Sequence, residues 1–420
     1  MTDARDRLTV WTPLPPERNG IADYAYVLLA ALSDRYGCRA ACDDWLARVP
    51  DGVALVDPAL AHRGAGPRAL HQLGNNPGHG FVLRALRRVP GVVTLHDPGL
   101  LHLYGTMGED AGTIRAGMAA SLPGLSAIFA RHWREERVQT AADHLLFDLA
   151  GETLARARAV VVHSRYARNR LRLVHGPAAT AHVEVIPHFV PPVLMPDRQA
   201  ARARLGIAPG DFLVVTSGFA TAAKRFDWLL AALDHACEAG ADLRWIHAGA
   251  ERPEEYDLAR AIVERPALRG RAAVTGYLEE AALDDHIAAA DVLVNLRFPS
   301  TGESSGSLAR AFAAGTCCIV SDTAAYAELP RDAVLHLPLT ETVPLLSRVL
   351  RALAAAPDRA AAIGARGRAH ALAEMGLEAV AGRYAAVIEA SLDRPPAPGP
   401  APRPAAPLTL EAAGLQPRRL

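Results

Sequence analysis

The sequence predicts an α/β protein made of two Rossmann-like, doubly wound domains. Three observations carry this. The chain has 420 residues, more than one ordinary hydrophobic core serves, so two domains of about 150 to 200 residues are expected. Short runs rich in Val, Ile and Leu alternate with helix-like segments, the pattern of parallel strands buried on both faces. The alternation then occurs twice, on either side of a proline-rich link.

In the first half the strand-like runs are LTVW (8–11), ALHQL (69–73), VVTLH (92–96), AVVVH (159–163) and VEVIP (183–187), with helices expected over 22–33 and 166–174. In the second half they are FLVVTS (212–217), LRWIHAG (243–249), AAVTG (272–276), DVLVNL (291–296), CCIVSD (317–322) and VLHL (334–337), with helices near 226–239, 279–290 and 307–314. The link IPHFVPPVLMPDRQAA (186–201) is rich in proline, which resists both periodic structures. The expected domains are therefore 1–187 and 188–393. Near the end of the second, Leu377, Val380, Ala381, Tyr384, Val387 and Ile388 follow helical spacing, marking a helix with one buried stripe. That stripe is expected to pack back on the N-terminal domain. Residues 394–420 hold 8 prolines in 27 positions, too many to build a core, and read as a disordered tail. The longer, irregular stretch 104–158 reads as scaffold helices inserted at a strand edge.

Composition removes several function classes. With 45 basic and 45 acidic residues the chain lacks the basic footprint of a nucleic-acid binder. Half of the residues are hydrophobic, yet no uninterrupted apolar run approaches the roughly 18 to 20 residues of a membrane span. The first residues, MTDARDRLTVW, mix both charge signs where a signal peptide has a basic patch and an apolar run, so a cytoplasmic location is expected. Five cysteines include no CxxC pair and read as small core residues.

Ligands of open parallel sheets sit beyond the carboxyl ends of the strands, and the unusual residues lie there. Gly20 follows the first strand just before a helix, where bare amides and the helix dipole favour an anion. His96 ends the third run and Asp97 follows it. In the second half, FLVVTSGFATAAKRFDW places Lys224, the chain's single lysine, and Arg225 at a helix start after a glycine turn. Lysine is a compact point charge on a thin stem, where arginine is a broad fork, so a narrow phosphate site can require it. The segment PSTGESSGSLARAFAAG supplies a helix N-terminus near Ser305 to Ser307 whose amides and hydroxyls suit a diphosphate. Glu303 would repel phosphate, so its partner must be neutral and hydroxyl-rich, as a sugar is.

These segments together resemble the GT-B glycosyltransferases of family 4. The likeness rests on a PxxxNGIADY loop, an LHD strand end, an SG…K turn, a VTGYL segment and a glutamate-and-glycine loop before an Ala-rich helix, and it covers nearly all of residues 8 to 392. The subgroup most similar is bacterial, with HQLGNN and RxPxxGExSGSLxRA segments. The resemblance implies that Lys224 neutralises the diphosphate of a nucleotide-sugar donor. It also implies that Gly302, Glu303, Ser304, Ser305, Gly306 and Ser307 contact sugar hydroxyls and phosphates. Tyr277 would lie near the base, and Gly20 and His96 would approach from the N-terminal domain. Two positions depart from the pattern. Arg310 stands where the family has a second glutamate, with six residues between it and Glu303, and Phe219 stands where many relatives have an arginine.

The expected reaction is a retaining transfer of the sugar to an acceptor hydroxyl. No DxD pair is present to hold a divalent metal on the diphosphate, so metal independence is expected, with no cofactor beyond the donor. The acceptor class implied is a saccharide or glycolipid, as in surface polysaccharide synthesis, the latter bringing peripheral contact with a membrane. A sugar-nucleotide epimerase and a non-catalytic, sugar-nucleotide-binding or partner-supporting homologue are the alternatives.

Overall fold

The computed structural model describes residues 7–134, 140–191 and 195–394. They form two compact units. The first takes the described residues up to Ile186, together with Thr301–Glu303 and those from Ala381 onward; the second comprises Pro187–Ser300 and Ser304–Val380.

The first unit carries a seven-stranded sheet of β1 (Arg7–Trp11), β2 (Gly37–Ala41), β3 (Ala54–Val56), β4 (Arg68–Leu73), β5 (Val92–Leu95), β6 (Ala159–Val162) and β7 (Val183–Val185). Its order is β3-β2-β1-β4-β5-β6-β7 and every pairing is parallel. The second carries a six-stranded sheet of β8 (Leu213–Ser217), β9 (Arg244–Ala248), β10 (Ala272–Val274), β11 (Val292–Asn295), β12 (Cys317–Ser321) and β13 (Leu335–Leu337). Its order is β10-β9-β8-β11-β12-β13, again all parallel. Each order reverses direction beside its first strand, the topology that opens a crevice at the strands' carboxyl ends.

Central strands are apolar because helices cover both faces. Every residue of β5, β6, β8, β11 and β12 is buried. Cys317 and Cys318 sit in β12 as buried free thiols, the core role expected of them. Two strands escaped the sequence reading. β2 is GCRAA and β3 is ALV; both lie toward one edge, and neither offers a Val/Ile-rich run to recognise.

The link needs a correction. Arg198–Leu205 is a helix, started by Asp197, whose Oδ1 accepts from the amides of Gln199 and Ala200 at 3.0 Å. An N-cap aspartate fixes a helix start wherever the prolines precede it. Residues 192–194 and 395–420 lie outside the described residues, so the tail reading does too. In the first unit, the Tyr384 hydroxyl lies 3.0 Å from that of Tyr24 and accepts from Thr94 Oγ1 at 3.1 Å, while Glu389 pairs with Arg68 at 2.6 Å. The stretch 104–158 is largely helical, and its buried Asp148 meets His175 at 3.0 Å, a structural pair.

Candidate functional site

In the second unit the site grows from the end of β8. Gly218 turns the chain with φ +79°, and a Cβ there would lie 2.9 Å from Lys224 Nζ and 3.8 Å from Ser307 Oγ. The turn, the ammonium and the hydroxyl at the start of helix Gly306–Ala314 thus meet at one point. Gly249, at the end of β9, is needed for a different reason: a Cβ there would strike Gly218 O at 2.2 Å.

Lys224 lies on a short 3₁₀ turn, Ala222–Lys224, with its side chain half buried. Its Nζ donates to Ser217 O at 2.6 Å. Among the described residues no carboxylate pairs with it. Burial, then the Arg297 and Arg252 guanidiniums, hold its pKa well below the ordinary lysine value. His247, in β9, adds to this environment: burial and then Lys224 lower its pKa to about 3, and its Nδ1 lies 3.0 Å from Thr216 Oγ1. Arg252 is itself paired with Glu255 at 3.1 Å, so it is the Lys224 ammonium that lacks a carboxylate of its own; such a desolvated cation is costly by itself and favourable beside an anion.

The helix N-terminus is built as the sequence suggests. Ser305 is the N-cap, its Oγ accepting from Leu308 N at 3.3 Å and facing Asn295 Oδ1 at 3.5 Å. The first helical residues are Gly306 and Ser307, whose amides are among those a helix leaves unpaired. Gly315 closes the helix in the left-handed conformation. Ser304 precedes the cap in the same unit.

Other expected residues are placed differently. Arg225 pairs with Asp227, and its guanidinium lies 3.8 Å from the centre of the Trp228 ring. Arg310 pairs with Asp284 at 2.7 Å and with Glu280, both on helix Glu280–Ala289, so its fork is already occupied. Tyr277 is 40% exposed on the loop after β10, next to Gly276 at φ +75°.

Thr301–Glu303 belong to the first unit. Glu303 Oε2 accepts from the amides of Thr301 and Gly302 at 2.9 and 3.1 Å and from Thr301 Oγ1 at 3.3 Å, so one carboxylate oxygen shapes its own loop. Gly302 adopts φ +111°, and a Cβ there would lie 2.9 Å from the Tyr166 ring.

At the strand ends of the first unit, Asn19 caps helix Gly20–Ser33 by accepting from Ile21 N at 2.9 Å, and space around Gly20 is open to 4 Å. Asp97 Oδ2 accepts from Asn75 N at 2.9 Å, pinning the loop after β4. His96 lies in a chain of contacts: Nε2 to Gln72 Oε1 at 2.7 Å, Nδ1 to His163 Nε2 at 3.1 Å, and His163 Nδ1 to Ile186 O at 2.9 Å. Burial lowers His163 to about 4, so at neutral pH it donates from Nδ1 and accepts at Nε2. His96 must then donate from Nδ1. Its Nε2 faces a carbonyl oxygen, which requires either an imidazolium or a reversed Gln72 amide; reversal would also occupy the Gln72 amide nitrogen, otherwise buried without a partner. Either way both ring nitrogens of His96 are engaged by protein. Sequence reasoning missed Gln72 and His163, although His163 ends an apolar run as His96 does.

Among the described residues no group of three or more His, Cys, Asp or Glu is placed to hold a metal ion, and no helix is long and apolar enough to cross a membrane.

Comparison with known proteins adds to this geometry. Residues 211–355 match the family model described as Glycosyl transferases group 1. No curated protein sequence matches the chain. Among solved structures, sucrose-phosphate synthase from Thermosynechococcus elongatus is similar with a TM-score of 0.67 at 18% identity, over 92% of this chain and 99% of that one. Anabaena HepE in complex with UDP-glucose gives 0.64 at 13% identity over 91% and 99%. WaaG, a glycosyltransferase involved in lipopolysaccharide biosynthesis, gives 0.61 at 15% over 91% and 99%. Likeness over nearly the whole chain shows the fold: two parallel α/β units in the GT-B architecture.

Proposed function

We propose that this chain is a glycosyltransferase that moves a sugar from a nucleoside-diphosphate donor to an acceptor hydroxyl. The observation that carries the reading is Lys224: a lysine depleted of counter-charge, beside two arginines, converging with Gly218 and the Ser307 hydroxyl at a helix N-terminus. The group 1 match over residues 211–355 covers this site, and the UDP-glucose bound by Anabaena HepE supports a nucleotide-sugar donor.

In the proposed reaction the bond between the anomeric carbon and the diphosphate oxygen breaks while the acceptor oxygen bonds to that carbon. Negative charge grows on the departing phosphate, where Lys224 and the amides of Gly306 and Ser307 receive it. Each preorganised donor of this kind lowers the barrier by about 3 kcal/mol. The departing phosphate takes the acceptor proton on the same face, which gives retention. Lys224 supplies the counter-charge that a metal supplies elsewhere, in keeping with the absence of a DxD pair. A saccharide or glycolipid acceptor, in polysaccharide synthesis at the inner face of a membrane, completes the reading.

Calorimetric titration with UDP, GDP, ADP, CDP and dTDP tests it, followed by proton NMR of the product formed with the matching donor. Saturable binding of one nucleotide and a product of unchanged anomeric configuration support the reading; an inverted anomer refutes retention. One observation favours a second reading. Arg310 is held by Asp284 and Glu280 in the slot of the family's second glutamate, as in a homologue that binds donor without turning it over. Nucleotide binding with no product would select it, and an epimerised donor would select an epimerase.

A further inference from the structure

The first unit contains a cavity of about 610 Å³ that the donor chemistry does not use. It lies at the carboxyl ends of β1, β2 and β3, and helix Gly80–Leu86 forms one wall. Such a volume suits a small molecule held by an apolar floor and a few polar groups. The floor is apolar: Trp11, Cys42, Phe81 and Ala85 are buried. The rim is not. Asp43, His62, Arg84 and Arg88 line it, all exposed.

The Trp11 ring forms part of the floor, with its indole N–H buried out of reach of the cavity. Several polar groups here are unspent. The side chains of Arg88 and His62 make no hydrogen bond or ion pair among the described residues. Arg84 acts on the Asp43 carboxyl without a hydrogen bond between them. At the mouth stands Trp45, 82% exposed, with Leu46 beside it at 61%. A large ring so exposed contributes nothing to the core.

Charge decides the ligand class. Asp43 and Asp57 balance Arg84 and Arg88 around the rim, so the site favours a neutral ligand over an anion. Mixed acids and arginines meet hydroxyls, which both donate and accept, and the electron-rich face of an indole attracts the C–H face of a pyranose ring. We propose that this cavity is a saccharide-binding subsite in which a sugar ring stacks on Trp45 while Asp43, Arg84 and Arg88 meet its hydroxyls. Cys42 follows β2, and His96 follows β5 three strand positions away, about 14 Å at the usual spacing of parallel strands. The subsite is therefore separate from the His96 cluster, and it does not depend on the transferase reading.

Saturation-transfer NMR on the full chain tests the proposal, with maltose, cellobiose, lactose and mannobiose as probes. Trp45→Ala is the first variant; a side chain this exposed can be removed with little effect on folding. The expected result is binding of at least one disaccharide, weakened about tenfold or more in Trp45→Ala, as loss of an aromatic stacking partner worth about 1.4 kcal/mol predicts. Arg84→Ala should weaken it as well, and calorimetric titration with the five nucleoside diphosphates should be unchanged in both variants. Disaccharide binding without binding of any of the five nucleoside diphosphates would count against the transferase reading and leave the subsite standing. No binding of any probe, or binding unaffected by Trp45→Ala, would overturn the proposal. So would Trp45-dependent capture by phosphatidylglycerol vesicles in the absence of disaccharide binding, which would assign the patch to a lipid surface.

Discussion

The ends of β8 and β5 are built alike and used differently. Each closes a buried apolar strand in a parallel sheet, and each leads to a basic side chain, Lys224 after one and His96 after the other. At His96 the protein meets both ring nitrogens, through Gln72 and His163. At Lys224 the protein offers one carbonyl oxygen and two more cations. A strand end is thus a place where a site can form, and a basic side chain with little of its hydrogen-bonding capacity spent is the better candidate for one.

The comparison breaks first at Lys224. Lys224→Met should lower transfer by about 100- to 1000-fold, the usual cost of removing one charge-stabilising donor, and should abolish measurable calorimetric binding of whichever nucleoside diphosphate the unaltered chain binds. Its melting temperature should hold or rise, because a desolvated cation has been removed. Lys224→Arg should not rescue it, since the planar fork cannot follow the lysine's thin path.

Arg310 gives the opposite profile. Arg310→Leu leaves the buried Asp284 carboxylate without its partner and should cost about 3 kcal/mol in denaturant unfolding, as for other buried pairs broken on one side, with the exposed Glu280 adding little. A variant that keeps its stability and loses nucleoside-diphosphate affinity would instead give Arg310 a place at the ribose.

His96→Ala should destabilise by about 1 to 3 kcal/mol, the cost of leaving buried His163 and Gln72 groups unpaired, with nucleoside-diphosphate affinity unchanged. Loss of transfer in a variant of unchanged stability would move His96 from the structural side of the comparison to the catalytic one.

The smallest effect is a pH dependence. Burial, with Arg297 and Arg252, depresses the Lys224 pKa in the empty site, and a bound diphosphate favours the ammonium and raises it. Between the two values binding takes up a proton, so nucleoside-diphosphate affinity should fall as pH rises, by at most about tenfold per pH unit. Calorimetry in two buffers of different ionisation enthalpy reads that proton directly. The same depression means that the unfolded chain binds the proton more readily, so through this window stability should rise with pH, and Lys224→Met should flatten the rise.

Much of this architecture was legible because buried parallel strands must be apolar whatever they pack against. VVTLH, AVVVH and CCIVSD announced β5, β6 and β12 by composition alone. GCRAA and ALV did not announce β2 and β3, since strands near an edge are held by backbone pairing and need no β-branched run. Asp197 was readable as a helix start but was overshadowed by the prolines before it. Arg225 and Arg310 looked like ligand groups by position and proved to be held by Asp227 and by Asp284 with Glu280.

By itself, then, the sequence determined what depends on local pattern: two doubly wound halves, the helix start capped by Ser305, and a single lysine after a glycine turn. Which polar groups are spent and which remain available was decided only by the tertiary structure. The partners of His96, Arg310 and Lys224 lie on other strands and helices, and a side chain's free hydrogen-bonding capacity is what remains after those distant neighbours have been counted.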